Sequence, residues 1–129
     1  MKILQPPDWP RPKGYANGIS ADGRLIFVAG QIGWDTEGQF PDSFTAQFAQ
    51  TLHNTLAVLK EGDAGPEHIV RMTWFITDRS AYLASLTDIG ACYRDIIGRH
   101  YPAMAVVQVA GLMEERALIE IETTAVVPR

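Results

Sequence analysis

Two stretches with helical periodicity, separated by a β-rich run, constrain the fold of this chain more than any other feature. Apolar residues recur every three or four positions across 44–59, and Ser43 before them is a suitable helix N-cap. The same spacing returns across 83–97. Residues 68–77 between them are β-rich and mostly apolar, which predicts a central strand covered on both faces.

Further strand signals flank this helix–strand–helix unit. Four prolines within 1–14 predict an extended N-terminal arm. The turn pair Asp22-Gly23 between apolar stretches predicts a β-hairpin, and 104–109 and 117–127 predict two final strands. The order ββαβαββ indicates an α+β fold with both helices on one face of the sheet. The other face would be bare, so we expect an oligomer.

Length and charge narrow the class of protein. The 129 residues fit a single domain spanning 1–129, and 47% hydrophobic residues supply a core without metal or disulfide staples. The net charge of −4 and the absence of any Lys/Arg run disfavour a nucleic-acid partner. The single cysteine suits a reducing compartment. Prolines interrupt the N-terminus before an apolar run develops, and no stretch approaches about 18 apolar residues. We therefore expect a cytoplasmic protein without signal peptide or membrane partner.

The residues that carry chemistry exclude several kinds of site. The three histidines have no metal-ligand spacing, so no metal is expected. Residues 30–33, Gly-Gln-Ile-Gly, lack the spacing and lysine of a phosphate loop, and we expect no cofactor. Cys92 falls near the apolar stripe of the second helix and is interpreted as a core thiol. Tyr15, Glu120 and Glu122 remain as candidates; the two glutamates share one face of the last strand because side chains alternate.

Six short segments, in order along the chain, form a combination found in one protein family. They are 13–15, 25–33 with its Gly-Gln-Ile-Gly, 73–78, 101–103, 107–109 and 117–122 with its Glu-Ile-Glu. Together they resemble the Rid family, also called the YjgF/YER057c/UK114 family or endoribonuclease L-PSP, from about Gly14 to Val127. The resemblance implies a chorismate-mutase-like fold and a homotrimer with a barrel-like core and clefts between neighbouring subunits.

The resemblance also implies an activity. Active members of the family hydrolyse reactive enamines and imines derived from amino acids, and release ammonia and a 2-keto acid. In them an arginine after Pro-Ala clamps the substrate carboxylate, while a backbone amide and a glutamate place the attacking water. Carried over to this chain, Glu122 is the catalytic glutamate, Tyr15 the cleft tyrosine, and Gly30 with Gln31 the backbone that lines the cleft.

The chain departs from the family pattern at the substrate clamp, where Met104 stands at the arginine position. A thioether cannot replace the planar, bidentate guanidinium, a loss of roughly 2–5 kcal/mol in a desolvated site. Other substitutions also make the cleft more apolar; they are Ala29 for serine, Ala105 for serine or threonine, Val106 for cysteine and Gly90 for asparagine. These changes predict a less anionic, more hydrophobic substrate. No spacing selects Arg24, Arg71 or Arg116 as a replacement clamp.

Two functions stay open from the sequence. One is a hydrolase of the family type acting on an altered substrate in inter-subunit clefts. The other is a non-catalytic trimer that uses the same cleft to bind a metabolite or a protein partner. Ribonuclease activity is disfavoured by the acidic charge and the lack of a histidine pair. Trp34, just after the Gly-Gln-Ile-Gly segment, is a candidate ligand-stacking residue, whereas Trp74 is interpreted as core.

Overall fold

The computed structural model describes residues 1–129 and contains one four-stranded sheet, one small two-stranded sheet and three α-helices. The elements are β1 (Lys2–Leu4), β2 (Gly18–Ser20), β3 (Arg24–Ile32), α1 (Phe44–Glu61), β4 (Ile69–Ile76), α2 (Arg79–Ala84), α3 (Leu86–Ile96), β5 (Ala103–Gln108) and β6 (Ile119–Val127). The main sheet has the strand order β3-β6-β4-β5, in which only β4 and β5 run parallel. The predicted α+β class and the two helical regions on one face are confirmed.

The core lies between one face of the sheet and the helices. Strand β4 alternates, with Met72, Trp74 and Ile76 buried against α1 and α3 while the residues between them stay partly exposed. Phe48 and Leu52 of α1 are 0% exposed at the centre of this layer. The expectation that β4 is covered on both faces is wrong for the single chain, because both helical regions pack on the same side.

The helix boundaries follow local capping. The Ser43 hydroxyl accepts a hydrogen bond from the Ala46 amide, and α1 ends at Gly62. The second predicted helix is divided into α2 and α3 at Ser85. The Ser85 hydroxyl donates to the Ala81 carbonyl at 2.8 Å, a local alternative to the regular helical ladder. Of the predicted apolar stripe, Ile89 and Tyr93 of α3 are buried, whereas Leu83 and Leu86 beside the division are 44% and 48% exposed.

The prediction of a hairpin around Asp22-Gly23 is wrong, because the strands on either side of this turn do not pair with each other. Strand β2 pairs with β1 in the N-terminal arm, and β3 pairs with β6. Gly23 has φ +152° and lies so close to the Val127 carbonyl that a side chain would not fit. The turn therefore carries the chain from the small sheet into the main sheet. The arm is extended, as predicted, but residues 2–4 form a paired strand within it.

The face of the sheet opposite the helices is uncovered and exposes large apolar side chains as well as charged ones. Leu25 is 56% exposed, Phe27 73% and Val107 41%. Glu120, Glu122 and Thr124 of β6 alternate with buried neighbours and so project to the same face. None of the helices is both long and apolar enough to cross a membrane.

Candidate functional site

A cavity of about 460 Å³ lies between the helical region α2–α3 and strands β4 and β5. All four tyrosines of the chain line it: Tyr15, Tyr82, Tyr93 and Tyr101. We call it the tyrosine cavity. Nine of its thirteen lining residues are hydrophobic. The cavity thus combines an apolar body with several hydroxyl groups, the usual make-up of a small-molecule site.

Four residues expected at the site from the sequence line this cavity: Tyr15, Gly90, Met104 and Val106. Met104 and Val106 point to the helix side because β5 pairs in register with β4, placing them beside buried Met72 and Trp74. Ala105 alternates with them and faces the opposite side of the sheet.

Tyr15 is held at the cavity by the backbone that follows it. The Ala16 amide donates to the Pro102 carbonyl at 2.9 Å, and Ala16 forms a parallel bridge with Ala103 beside the start of β5. The Tyr15 ring itself is 41% exposed. Its position beside β5 therefore depends on main-chain pairing, which leaves the ring free to contact a ligand.

Two of the tyrosines form a fixed wall. The Tyr93 hydroxyl donates to the His100 carbonyl at 2.6 Å, and the Tyr93 ring stacks on Tyr101 with 5.6 Å between centroids. Burial raises the pKa of Tyr93 strongly, with a smaller contribution from Tyr101, and burial also raises the pKa of Tyr82. Both hydroxyls therefore stay protonated at neutral pH, and that of Tyr93 is already paired with the His100 carbonyl.

The charged groups at the tyrosine cavity are both cationic. Lys13 and Arg94 line it, and no aspartate or glutamate does. The cavity is therefore more basic than the substitution at position 104 predicts. Arg94 was not among the arginines that the sequence suggested, although its i, i+4 spacing from Gly90 puts both residues on one face of α3.

The three arginines considered from the sequence lie elsewhere. Arg24 is exposed at the start of β3, and Arg71 projects to the open face of the sheet. Arg116 lies 3.7 Å from an Asp42 oxygen and over the ring of Phe40.

A second cavity, of about 410 Å³, lies on the open face of the sheet. We call it the strand-face cavity. It contains two further residues expected at the site, Ala29 and Glu122, beside Phe27, Arg71 and Thr73. Glu122 reaches this position because it pairs with Thr73 of β4 in the antiparallel register. The sequence-based choice of catalytic glutamate is thus on the face of the sheet opposite Met104.

The glutamate that lies beside Gly30 is Glu120, not Glu122. A Cβ on Gly30 would come within 2.6 Å of Glu120 Oε2, so the carboxylate lies directly on the glycine backbone. The register between β3 and β6 shifts between Val28 and Gln31, so Gly30 lies within the bulge, and pairing resumes with Gln31 opposite Ile121 and Ile32 opposite Glu120. Alternation alone could not reveal which of the two glutamates meets the bulge.

Gln31 and Trp34 line neither cavity. The Gln31 amide donates to the carbonyl of Ala29 at 3.1 Å. The Trp34 ring lies 5.8 Å from that of Phe40, and its carbonyl accepts a hydrogen bond from Asn54. In the single chain Trp34 therefore packs beside the loop after β3, so its proposed stacking role gains no support.

The expected site residues thus form two groups that one chain does not bring together. Tyr15, Gly90 and Met104 line the tyrosine cavity on the helix side of the sheet, whereas Gly30 of β3 and Glu122 of β6 lie on the open face, where Glu120 is the glutamate beside Gly30. Strands β3 and β5 are the two outer strands, about 14 Å apart at the usual strand spacing. No group of three or more His, Cys, Asp or Glu residues is arranged to hold a metal ion.

Comparison with known proteins identifies the family. The family model described as endoribonuclease L-PSP matches residues 10–127. This chain belongs to the Rid family. The RutC family protein slr0709 of Synechocystis is 34% identical over 132 residues, which cover 99% of this chain and 98% of the relative. The fold matches that of the Rid protein YyfB of Yersinia pestis, with a TM-score of 0.85 at 27% identity over 98% of both chains.

One of the Rid relatives has a name that describes an enzyme activity. TdcF of Escherichia coli, whose name describes a reactive intermediate deaminase, is 32% identical over 116 residues, covering 87% of this chain and 85% of TdcF. A crystal structure of TdcF with bound serine matches the fold over 98% of both chains, with a TM-score of 0.70 and 30% identity. The Rid chain described here is therefore homologous to a protein that is named for reactive intermediate deamination.

Proposed function

We propose that this Rid protein is a hydrolase of reactive imines that works as a homotrimer, with its site in the clefts between subunits. The observation that carries the proposal is the division of the family's site residues into two groups on opposite faces and opposite edges of the sheet. A cleft that joins the tyrosine cavity of one subunit to the Gly30–Glu120 region of the next would contain both groups.

The uncovered sheet face supports assembly. Phe27 and Leu25 on β3 and Val107 on β5 are exposed on this face, and a monomer would leave all three in water. Burying such side chains contributes about 25 cal/mol per Å² of apolar area. The number three comes from the family resemblance, in which the sheets of three subunits surround a barrel-like core.

The proposed reaction replaces the C=N bond of an imine with C=O. One water adds to the imine carbon, ammonia leaves, and a ketone or 2-keto acid remains. Glu120 accepts a proton from the attacking water and passes it to the imine nitrogen, which gives a carbinolamine. It then accepts the hydroxyl proton of the carbinolamine and delivers it to the amine as the C–N bond breaks, so that C=O forms and ammonia leaves. The main chain at Gly30 and Gln31 orients the water, and the hydroxyl of Tyr82, whose pKa burial raises, donates a hydrogen bond within the cavity.

The substrate is larger and more apolar than the smallest imino acids. Met104 and Val106 replace polar family residues, and nine of the thirteen lining residues of the tyrosine cavity are hydrophobic. The replacement of arginine by Met104 would, taken by itself, also predict a less anionic substrate. Lys13 and Arg94 argue against that part of the prediction, because two cations without a carboxylate neighbour favour an anion.

The second candidate is a non-catalytic receptor that uses the same cleft. The presence of Met104 favours the receptor, since active members have an arginine at this position that clamps the substrate. A receptor would bind keto acids without accelerating imine hydrolysis.

One experiment separates the two functions. Imines are generated in situ from leucine, phenylalanine and alanine by an amino-acid oxidase, and the rate of 2-keto acid formation is followed with and without the protein. We expect acceleration that is greatest for the apolar imines and absent with Glu120→Gln. No acceleration with any imine, together with keto-acid binding, would favour the receptor.

A further inference from the structure

Gly90 and Arg94 form a unit on the cavity face of α3. They are four residues apart, and the side chain of a helical residue leans toward the N-terminus, over the preceding turn. A Cβ on Gly90 would lie 3.2 Å from Arg94 Nη1, 3.9 Å from Nη2 and 4.0 Å from Cζ. The guanidinium thus lies on the helix surface that the missing side chain leaves open.

A glycine inside a helix needs a reason. It destabilises a helix by about 1 kcal/mol relative to alanine, and Gly90 has a helical conformation that any residue can adopt. The three atoms nearest to the position of that missing Cβ all belong to the planar guanidinium of Arg94. Gly90 therefore permits the position of Arg94 rather than a special backbone conformation.

The guanidinium is available to a ligand. Arg94 has no carboxylate within 4.0 Å, and its side chain donates no hydrogen bond to the rest of the chain. Both residues line the tyrosine cavity, as does Met104. An arginine without a partner, beside an apolar cavity that has no acidic lining residue, is suited to a planar anion attached to an apolar group.

We propose that Arg94, positioned by Gly90, binds the carboxylate of the substrate and takes over the role of the arginine that Met104 replaces. The ligand class is a monocarboxylate with an aromatic or branched apolar group, which enters the tyrosine cavity while the carboxylate stays at α3. The reaction of such a ligand rests on the proposed function, but its binding does not.

The test uses two probes that differ only at the anion. Phenylpyruvate carries a carboxylate where phenylacetone carries a methyl group. Titration calorimetry on the full chain should give a clear preference for phenylpyruvate. Arg94→Gln should remove that preference, with roughly tenfold weaker phenylpyruvate binding and little change for phenylacetone. Arg79→Gln, an exposed arginine on α2 outside the cavity, is the matched control and should bind like the wild type.

Gly90→Ala tests the positioning role separately. The added methyl group would shift the guanidinium by a few tenths of an ångström and should weaken phenylpyruvate binding by about twofold, whereas alanine's better helix propensity should maintain or raise the Tm. A merely structural glycine would instead lower the Tm with unchanged binding.

The outcomes are distinct from those of the proposed function. Equal phenylpyruvate affinity in the wild type and Arg94→Gln, or no preference or no binding in the wild type, overturns the assignment of Arg94 whether or not imines are hydrolysed. Arg94-dependent binding without any imine hydrolysis supports this assignment and contradicts the enzyme.

Discussion

The carboxylate of Glu120 lies on the backbone of Gly30, with Oε2 2.6 Å from the point that a Cβ on residue 30 would occupy. This contact occurs at the bulge where β3 leaves its regular register with β6. Main-chain amides freed from the ladder and a carboxylate within reach of them are the components that orient a water. Glu120 is consequently the stronger candidate for the acid–base residue, although Glu122 fits the same sequence motif.

Glu120→Gln should lower the rate of imine hydrolysis by roughly a hundredfold or more, because the amide cannot accept the proton of water. The matched variant is Glu122→Gln, which removes the neighbouring carboxylate on the same face of β6. Its effect should be within a few-fold of the wild type. A large loss with Glu122→Gln and none with Glu120→Gln would reverse the assignment.

Phe27→Glu should dissociate the proposed trimer. The Phe27 side chain is 73% exposed on the open face of the sheet, and a glutamate there would place a charge in the subunit contact. Light scattering should report three times the chain mass of 14.2 kDa for the wild type and the single mass for the variant. Met113→Glu, at a residue that is 97% exposed in the loop before β6, should remain trimeric. A monomeric wild type would refute the assembly.

The helices and the core strand could be predicted from the sequence because their determinants are local. A capping serine and a periodic stripe define α1, and β-branched and aromatic residues define β4. That β4 is buried on one face only could not be predicted, because this depends on which side of the sheet the helices pack. The hairpin at Asp22-Gly23 could not be predicted correctly. A turn signal predicts where the chain changes direction, but it does not predict which strands pair. Strand β2 pairs with β1 in the N-terminal arm.

The candidate site could be predicted from the sequence only in part, for the same reason. Met104 and Tyr15 could be named from their motifs, but Arg94 reaches them through the packing of α3 against β4 and β5, which is a tertiary relationship. Glu120 and Glu122 are equivalent in the alternating pattern of β6. Only the bulge in the neighbouring strand distinguishes them, and no residue in β6 signals that bulge.

Gln47→Leu should destabilise the fold by about 2–4 kcal/mol. Gln47 is buried on α1, and its amide donates to the carbonyls of Pro41 and Arg116 at 3.0 Å and accepts from the Leu118 amide at 2.8 Å. Leucine would leave these three backbone groups unpaired. Urea denaturation measures the change. Gln50→Leu should cost less than about 1 kcal/mol, because the Gln50 amide bonds only to the Asn54 side chain; equal losses would contradict this account.

Tyr93 should make the fold sensitive to alkaline pH. Burial raises its pKa above the ordinary value near 10, so the unfolded chain releases this proton from about pH 10 while the folded chain retains it. The free energy of unfolding is therefore unaffected below that pH and falls above it. Tyr93→Phe should flatten the fall in the urea midpoint between pH 8 and pH 11. At pH 8 the variant should lose about 1 kcal/mol, because the His100 carbonyl loses its donor. Tyr15→Phe, which leaves Tyr93 intact, should retain the alkaline fall.

An arginine introduced at position 104 should be able to bind the substrate carboxylate in place of Arg94. Met104 and Arg94 line the same cavity from β5 and α3, so an arginine introduced at position 104 can meet an anion that Arg94 no longer binds. The double variant Arg94→Gln/Met104→Arg should regain most of the phenylpyruvate affinity lost in Arg94→Gln, measured by calorimetry at fixed ionic strength. Met104→Gln in the Arg94→Gln background is the control, since it adds polarity without charge and should rescue nothing. Failure of the arginine to rescue binding, in a variant whose Tm matches the wild type, would mean that the two residues do not address the same ligand group.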